Sequence, residues 1–584
     1  MSHEAAFAVN RGGTTDLFVL CIKYMQRAFL LLCKKEIFMA ITDFLEKNAR
    51  LKGKQVALVE VNPSTERDEA TTWREASLVS SASPDMPYRR EMTWGEFDVM
   101  ANRVANLILS RAIKRGTKIG ILMMNCLEFL PIYFGVLKAG CIVVPMNYRY
   151  SSDEIEYCLD LADIEALFFG PEFISRMDAI SDKIVYVRNL FFVGKSGCPR
   201  FAQPCLELIN YCSSTLPPIT LSDDDYAAIY FSSGTTGFPK AILHKHRGLV
   251  ASCETEQNHH SQTEDDVFLC IPPLYHTGAK MHWFGSLITG GKAILLRGTK
   301  PEWILRTVTE EKCTIVWLLV PWAQDILDEI ESGRINLDHY LLDQWRLMHI
   351  GAQPVPPSLI KRWLKIFPHH DYDTNYGLSE SLGPGCVHLG VGNVHKVGAI
   401  GKSGYHWETK IVDEKHNEVA QGEVGELAVK GPGVMVEYYN NPDATLSILE
   451  NGWLFTGDMA MADEDGFIFL VDRKKDVIIM GGENLYPVQI EDFLRSNPKI
   501  KDVAVIGLPD ARLGEIPAAI IEIKEDECSS EEEINEFCLG LPRYKRPKKI
   551  IFDKVPRNPT GKIEKPKLRE MYCGESLVAQ QIKN

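Results

Sequence analysis

The chain has 584 residues, 45% hydrophobic and 24% charged, with a formal net charge of −14 and a pI of ≈ 5.6. That length calls for more than one domain, and the acidic balance excludes a non-specific nucleic-acid binder, which needs a basic face for phosphate. The 15 cysteines form no C-x-x-C pair, and the evenly spaced Cys198, Cys205 and Cys212 have no His or further Cys to complete a zinc pattern; free thiols in a reducing cytoplasm are expected.

Residues 1–38 read as an N-terminal extension. Leu17 to Cys33 is apolar but broken by Lys23, Gln26 and Arg27, so no run of about 18 apolar residues forms a membrane span. Leu17, Leu20, Cys21, Tyr24, Ala28, Leu31 and Leu32 fall at helical spacing, which predicts a surface helix. Met39 would serve as a start of its own.

Thr93 and Glu96 form a capping box ahead of Phe97, Met100, Ala101, Val104, Ala105 and Ile108, which predicts a helix. A strand over Lys118–Asn125, a helix over Glu128–Lys138 and a strand over Cys141–Val144 follow. Strands alternating with helices predict a mostly parallel sheet covered on both faces. Residues 187–224 show little periodicity and read as a loose connection. Asp225–Phe231 and Ala241–His244 read as buried strands flanking Ser232-Ser233-Gly234-Thr235-Thr236-Gly237-Phe238-Pro239-Lys240. Glycines let backbone N–H groups approach a ligand, hydroxyls add donors and Lys240 adds a cation, a combination suited to polyphosphate. The spacing is not that of a Walker A loop.

With its two strands, this loop resembles the first signature of the adenylate-forming superfamily of acyl-CoA synthetases, aryl-CoA ligases, luciferases and peptide-synthetase adenylation domains. Ala241 replaces the usual glycine. Asn125, Ala139-Gly140 and Val144-Pro145 match the superfamily's early core pattern and read as packing and turn positions. The resemblance implies an α/β fold: a large multilayer αβαβα N-terminal domain with mixed sheets over 39–471, and a small mobile α+β C-terminal domain over 472–584. It also implies ATP, Mg²⁺ and CoA as cofactor and co-substrates.

Later motifs keep the superfamily's order. In Pro272–Ala279, His276 would lie beside the acyl carboxylate, in a gating role. Val316–Trp322 reads as a buried strand and turn, and Trp317 or Trp322 facing the acyl pocket would shorten it. Gly351-Ala352-Gln353 resembles the loop against adenine. In Asn375-Tyr376-Gly377-Leu378-Ser379-Glu380, Asn375 would meet the adenine amino group, Tyr376 would flank the ring and Glu380 would hold Mg²⁺. Asp458 would accept from the ribose hydroxyls, with Arg473 reaching the same sugar. His244, His246, His259, His260, His369 and His370 have no motif support and read as structural or exposed.

The charged run Asp472–Asp476 reads as an exposed hinge, pivoting at Asp472. Gly481 and Gly482 would line the pantetheine tunnel. The acidic cluster 525–533 and the basic run 541–549 read as solvated faces. Lys562, in Pro556–Ile563, would stabilise charge between the attacking carboxylate and the α-phosphate. These implications point to an AMP-forming acyl-CoA synthetase acting on a medium- or long-chain fatty acid. The alternatives are an aryl or alicyclic acid, a carrier-protein thiol as acceptor, or a non-catalytic nucleotide sensor. No integral membrane span is expected, and a homo-oligomer is compatible with the reading.

Overall fold

The structure is a computed structural model that describes residues 39–63, 87–232, 239–351, 355–481, 483–525, 527–557 and 563–573. The extension 1–38, the loop tip Ser233–Gly237, Ala352 and Gln353, Gly482 and Lys562 lie outside the described residues. Among the described residues, no helix is long and apolar enough to cross a membrane.

Two large sheets form the body. Naming strands by their first residue, one sheet runs Asp371, Leu347, Ile315, Val267, Lys292, Val56, Arg89; only its last pairing is antiparallel. The other runs Glu437, Ala241, Tyr226, Ile142, Lys118, Ile164, Asn189, Gln203, with antiparallel pairing confined to the Glu437–Ala241–Tyr226 edge. Parallel strands need both faces covered, and their apolar runs supply the cover. Helices Trp94–Ser110, Phe129–Lys138, His246–His259 and Thr277–Thr289 fill one core with residues from both sheets. Helices Pro301–Glu311, Val320–Glu331 and Pro357–Ile366 cover the outer face of the first sheet, and Ser152–Leu161 covers that of the second. The outcome is the expected five-layer α/β arrangement. The capping box of Thr93 and Glu96 forms as expected, with Thr93 Oγ1 accepting from Glu96 N.

Asn125 joins the two sheets. It follows the strand Lys118–Leu122, and its buried amide donates from Nδ2 to Pro272 O at 2.9 Å and accepts Leu274 N at Oδ1 at 2.7 Å. Pro272 and Leu274 follow the strand Val267–Cys270 of the other sheet. Two readings are corrected here. Residues 187–224 contain the strands Asn189–Phe192 and Gln203–Pro204 and the helical turn Cys205–Leu208, hidden because each element is too short to show a period. The expected turn after Leu319 is the start of helix Val320–Glu331, with Pro321 in its first turn where no N–H bond is lost.

Smaller sheets follow: three antiparallel strands over Asn375–Ser403, five over Glu408–Arg473, and five more from Ile478 to Phe552. The acidic cluster begins helix Glu531–Phe537, capped by Ser530. The exposed hinge is corrected too. Asp472 and Asp476 are each only 6% exposed. Asp472 accepts the N–H groups of Arg473 and Val488, and Asp476 pairs with Arg569 at 2.8 Å. Lys565, also buried, sits 2.9 Å from Glu491. Charges that read as solvated in sequence are paired by the C-terminal helix Lys565–Cys573, about 90 positions later. Just before that helix, Arg557 and Ile563 pair across a bridge, and Arg557 binds Asp502 through Nε and Nη2, each at 2.7 Å.

Two outcomes are expected. Asn125→Leu strands a buried N–H and a buried carbonyl, so the urea midpoint should fall by the equivalent of about 2–4 kcal/mol. Burial raises the Asp472 carboxyl to about 6, against the partial relief given by Lys565. A folded pKa above the unfolded one means stability is greatest below pH ~4 and is lost as pH rises through ~6. Asp472→Asn removes that titration. Relative to the parent, its stability should therefore gain on the order of 2 kcal/mol between pH 4 and 7, measured as the pH dependence of the urea midpoint.

Candidate active site

The strands Tyr226–Phe231 and Ala241–Lys245 bring the two ends of the hydroxyl-rich loop together. Ser232 N donates to Lys240 O at 2.9 Å, and Lys240 N donates to Ser232 Oγ at 3.0 Å, so the base of the loop is closed on itself. The short strand Glu437–Tyr438 pairs with Ala241–Lys245 and carries Tyr438 beside Lys240, whose Nζ lies 4.6 Å from the ring centroid. Tyr438 Oη donates to Glu380 Oε1 at 2.7 Å. Burial and the nearby Glu380 carboxylate raise the Tyr438 phenol, which keeps its proton as donor. The phosphate-loop cation and the carboxylate expected to hold a metal are thus brought to one aromatic ring.

Glu380 is half-exposed in a single turn, Ser379–Ser381, at the end of the strand Asn375–Leu378. Its carbonyl accepts Met435 N at 2.8 Å. Ser379 O accepts a bond from His244 Nε2 at 2.9 Å. Burial lowers His244 to about 3, so its ring is neutral and Nε2 carries the proton. His244 is a supporting residue that sequence reasoning left without a role; four residues separate it from Lys240 and no motif marks it.

The same strand places Tyr376 in the core, with Oη donating to Asp458 Oδ2 at 2.5 Å. Burial, then the charge of Asp458, raise the Tyr376 hydroxyl well above its usual range. Asp458 is paired across the strands Trp453–Ala462 and Ile468–Arg473 with Arg473, whose Nε lies 3.3 Å from Asp458 Oδ1. Burial opposes the Arg473 charge, but the nearby acidic groups, Asp458 first and then Asp476, together outweigh it and raise the guanidinium. Gly377 lies half-buried between Tyr376 and Leu378 on that strand.

Asn375 donates from Nδ2 to Glu256 Oε1 at 2.6 Å. Gly351 ends the strand Leu347–Gly351, and a Cβ there would stand 3.6 Å from Asn375 Oδ1, so the amide oxygen is turned toward Gly351. Glu256 is held in turn by His388, whose Nε2 is 3.1 Å from Glu256 Oε1 and whose Nδ1 is 3.1 Å from Asp373 Oδ2. Burial alone would lower His388, but the two carboxylates outweigh it and raise it to about 10. Neither Glu256 nor Tyr438 was found by sequence reasoning. Their partners lie 119 and 58 positions away, and neither sits in a recognisable motif.

His276 caps the helix Thr277–Thr289, its Nδ1 accepting Gly278 N at 3.2 Å, which leaves the proton on Nε2. Beside it, a Cβ on Gly278 would meet Trp317 Cη2 at 2.8 Å. Trp317 therefore packs onto the helix start that carries His276, whereas Trp322 lies in the outer core on the opposite face of the sheet. Gly481 is exposed at φ +62°, a left-handed conformation that glycine adopts freely, and its N–H bonds Leu513 O at 2.7 Å.

Comparison with known proteins agrees with this geometry. The pattern of the AMP-binding enzyme family matches residues 66–439, and that of the AMP-binding enzyme C-terminal domain matches 489–562. Over 487 residues the chain is 31% identical to a long-chain-fatty-acid–CoA ligase, FadD13, of Mycobacterium tuberculosis, covering 82% of this chain and 93% of that protein. The ATP-bound structure of MatB from Rhodopseudomonas palustris superposes with a TM-score of 0.78 at 26% identity, covering 91% and 99%. An anthranilate CoA ligase in complex with anthranoyl-AMP shares the fold, with a TM-score of 0.80 at 24% identity over 93% of this chain and 98% of that one. The chain belongs to the AMP-binding enzyme family.

Proposed function

We propose that the protein is an AMP-forming acyl-CoA synthetase. In the first half-reaction a carboxylate oxygen attacks the α-phosphorus of ATP, the acyl–phosphate bond forms and pyrophosphate leaves. In the second, the thiol of CoA attacks the carbonyl carbon of the acyl-AMP, AMP leaves and the thiol proton is released. The observation that carries this reading is that six consecutive residues, 375–380, reach Glu256, Asp458 and Tyr438 at once. These contacts support a reading in which Asn375, Asp458 and Glu380 serve the base, the sugar and the phosphate-bound ion of a nucleoside triphosphate.

In this reading Asn375 Oδ1 accepts from the adenine amino group beside Gly351, Ala352 and Gln353, and Tyr376 flanks the base. Asp458, held between Tyr376 and Arg473, accepts from the ribose. Ser232, the loop Ser233–Gly237 and Lys240 bind the phosphates. Glu380 fits a hard divalent ion, being a half-exposed carboxylate with one oxygen oriented by Tyr438. It would hold the Mg²⁺ that neutralises charge on the ATP phosphates. Lys562 acts in the adenylation step, and a C-terminal domain beginning near Asp472 turns between the half-reactions, with Gly481 and Gly482 passing the pantetheine arm. The enzyme would work in the cytoplasm.

The acid is a medium- or long-chain fatty acid, as supported by the long-chain ligase relatives. One observation favours a compact aryl or alicyclic acid: Trp317 closes on Gly278 beside His276. With ATP, Mg²⁺ and CoA, a panel of acids should release AMP and yield a CoA thioester, and the best acid should be longer for Trp317→Ala than for the parent. AMP release without a CoA thioester would instead indicate a carrier-protein thiol, and no AMP release with any acid a nucleotide sensor.

Lys562→Ala should cut acid-dependent exchange of pyrophosphate into ATP by roughly 10²–10³-fold. Thioester formation from supplied acyl-AMP should change far less, since only the first transition state loses its cation. Equal exchange rates in variant and parent would remove Lys562 from the mechanism.

A further inference from the structure

Behind the strand that carries Asn375, five ionisable side chains are packed together: Glu256, His260, His349, Asp373 and His388, none more than 2% exposed. They arrive from the helix His246–His259 and its C-cap His260, and from the strands Leu347–Gly351, Asp371–Asp373 and Gly383–His388. Burying this many ionisable groups is costly unless they are paired or bind an ion.

His260 Nε2 is the centre of the group. It lies 2.9 Å from His349 Nδ1, 3.2 Å from Asp373 Oδ2 and 3.5 Å from Glu256 Oε2, and His349 Nδ1 is 3.7 Å from Asp373 Oδ2. Glu256, His260 and His349 each offer an atom within 4.8 Å of the other two. A tetrahedral ion with bonds of ~2.0–2.1 Å sets its ligand atoms roughly 3.3–3.4 Å apart, so these separations already approximate the edges of such a shell. We infer that Glu256, His260 and His349, with Asp373 beside them, form a binding site for a divalent transition metal of the zinc class.

Chemistry and charge agree with the geometry. Imidazole and carboxylate together suit Zn²⁺ and its neighbours, whereas Mg²⁺ prefers oxygen alone. Glu256 and Asp373 bring two buried carboxyl side chains to the group, oxygen ligands that a dication favours. His388 touches both carboxylates at 3.1 Å and serves as the outer-shell group that orients them. The ring of His259 stacks on His388 at 4.1 Å, and the two line a cavity of ≈ 380 Å³ with Gly390, Asn393 and Lys402. Glu256 also receives the Asn375 bond, so an ion here would stiffen the adenine side of the nucleotide site. That last link rests on the proposed function; metal uptake itself does not.

The test uses the full-length chain, stripped with a chelator and titrated with Zn²⁺, Co²⁺ and, as control, Mg²⁺. One Zn²⁺ per chain should survive gel filtration, melting should shift upward with Zn²⁺ and not with Mg²⁺, and Co²⁺ should give the visible bands of a four-coordinate nitrogen–oxygen site. His349→Gln and Glu256→Gln, each checked for native circular dichroism, should weaken Zn²⁺ binding by at least about 10-fold. Cys528→Ser, removing the exposed thiol, should leave binding unchanged. Undiminished Zn²⁺ uptake in the folded variants would overturn the site. So would a parent chain that shows neither Zn²⁺ retention nor the Co²⁺ bands, a result that stands even if the variants misfold.

Discussion

The buried amide of Asn125 is the contact on which the rest of the arrangement depends. Two sheets that share a helical layer could slide past each other, because apolar packing is non-directional. Asn125 removes that freedom by spending both halves of its side chain on the backbone on either side of Pro273. The fixed backbone leads within two residues to His276, and from there to the helix that Trp317 packs against. A hydrogen-bond pair in a dry interior thus sets where the helix start that carries His276 stands relative to the strands of the other sheet.

The nucleotide side is organised by a different economy. The polar groups that would face ATP are each held by another polar side chain: Glu380 by Tyr438, Asp458 by Tyr376 and Arg473, Asn375 by Glu256, and the 379 carbonyl by His244. Tyrosine and neutral histidine suit this supporting role, since burial keeps their protons in place and they can donate without adding charge. The site is therefore oriented before any substrate arrives, which reduces the entropy cost of binding.

What was legible in the sequence follows from this division. The groups that would face ATP sit in short contiguous motifs because one loop or strand end must present several of them together, so Ser232, Lys240, Glu380, Asp458 and Arg473 could be named in advance. A mostly parallel sheet covered on both faces was legible through alternating apolar runs and capped helices, and the five layers through the family resemblance. The supporting residues were not, because Tyr438 and Glu256 reach their partners across long stretches of chain and carry no local pattern. The exposure of the hinge run was misread for the same reason. Asp472 and Asp476 look solvated beside their neighbours, and their partners Val488, Lys565 and Arg569 lie farther along the chain. Trp322 misled as well: Pro321 looked like a turn and is instead the first turn of a helix.

The bridge between Arg557 and Ile563 has a mechanical consequence for the chemistry proposed for Lys562. Both partners of that bridge are pinned, Arg557 by Asp502 and Ile563 by the helix that Lys565 anchors to Glu491. With Arg557 and Ile563 held in this way, any large displacement at this point of the chain must carry Asp502 and Glu491 with it, a movement of the unit and not of the local backbone, like a fixed pin on a turning wheel.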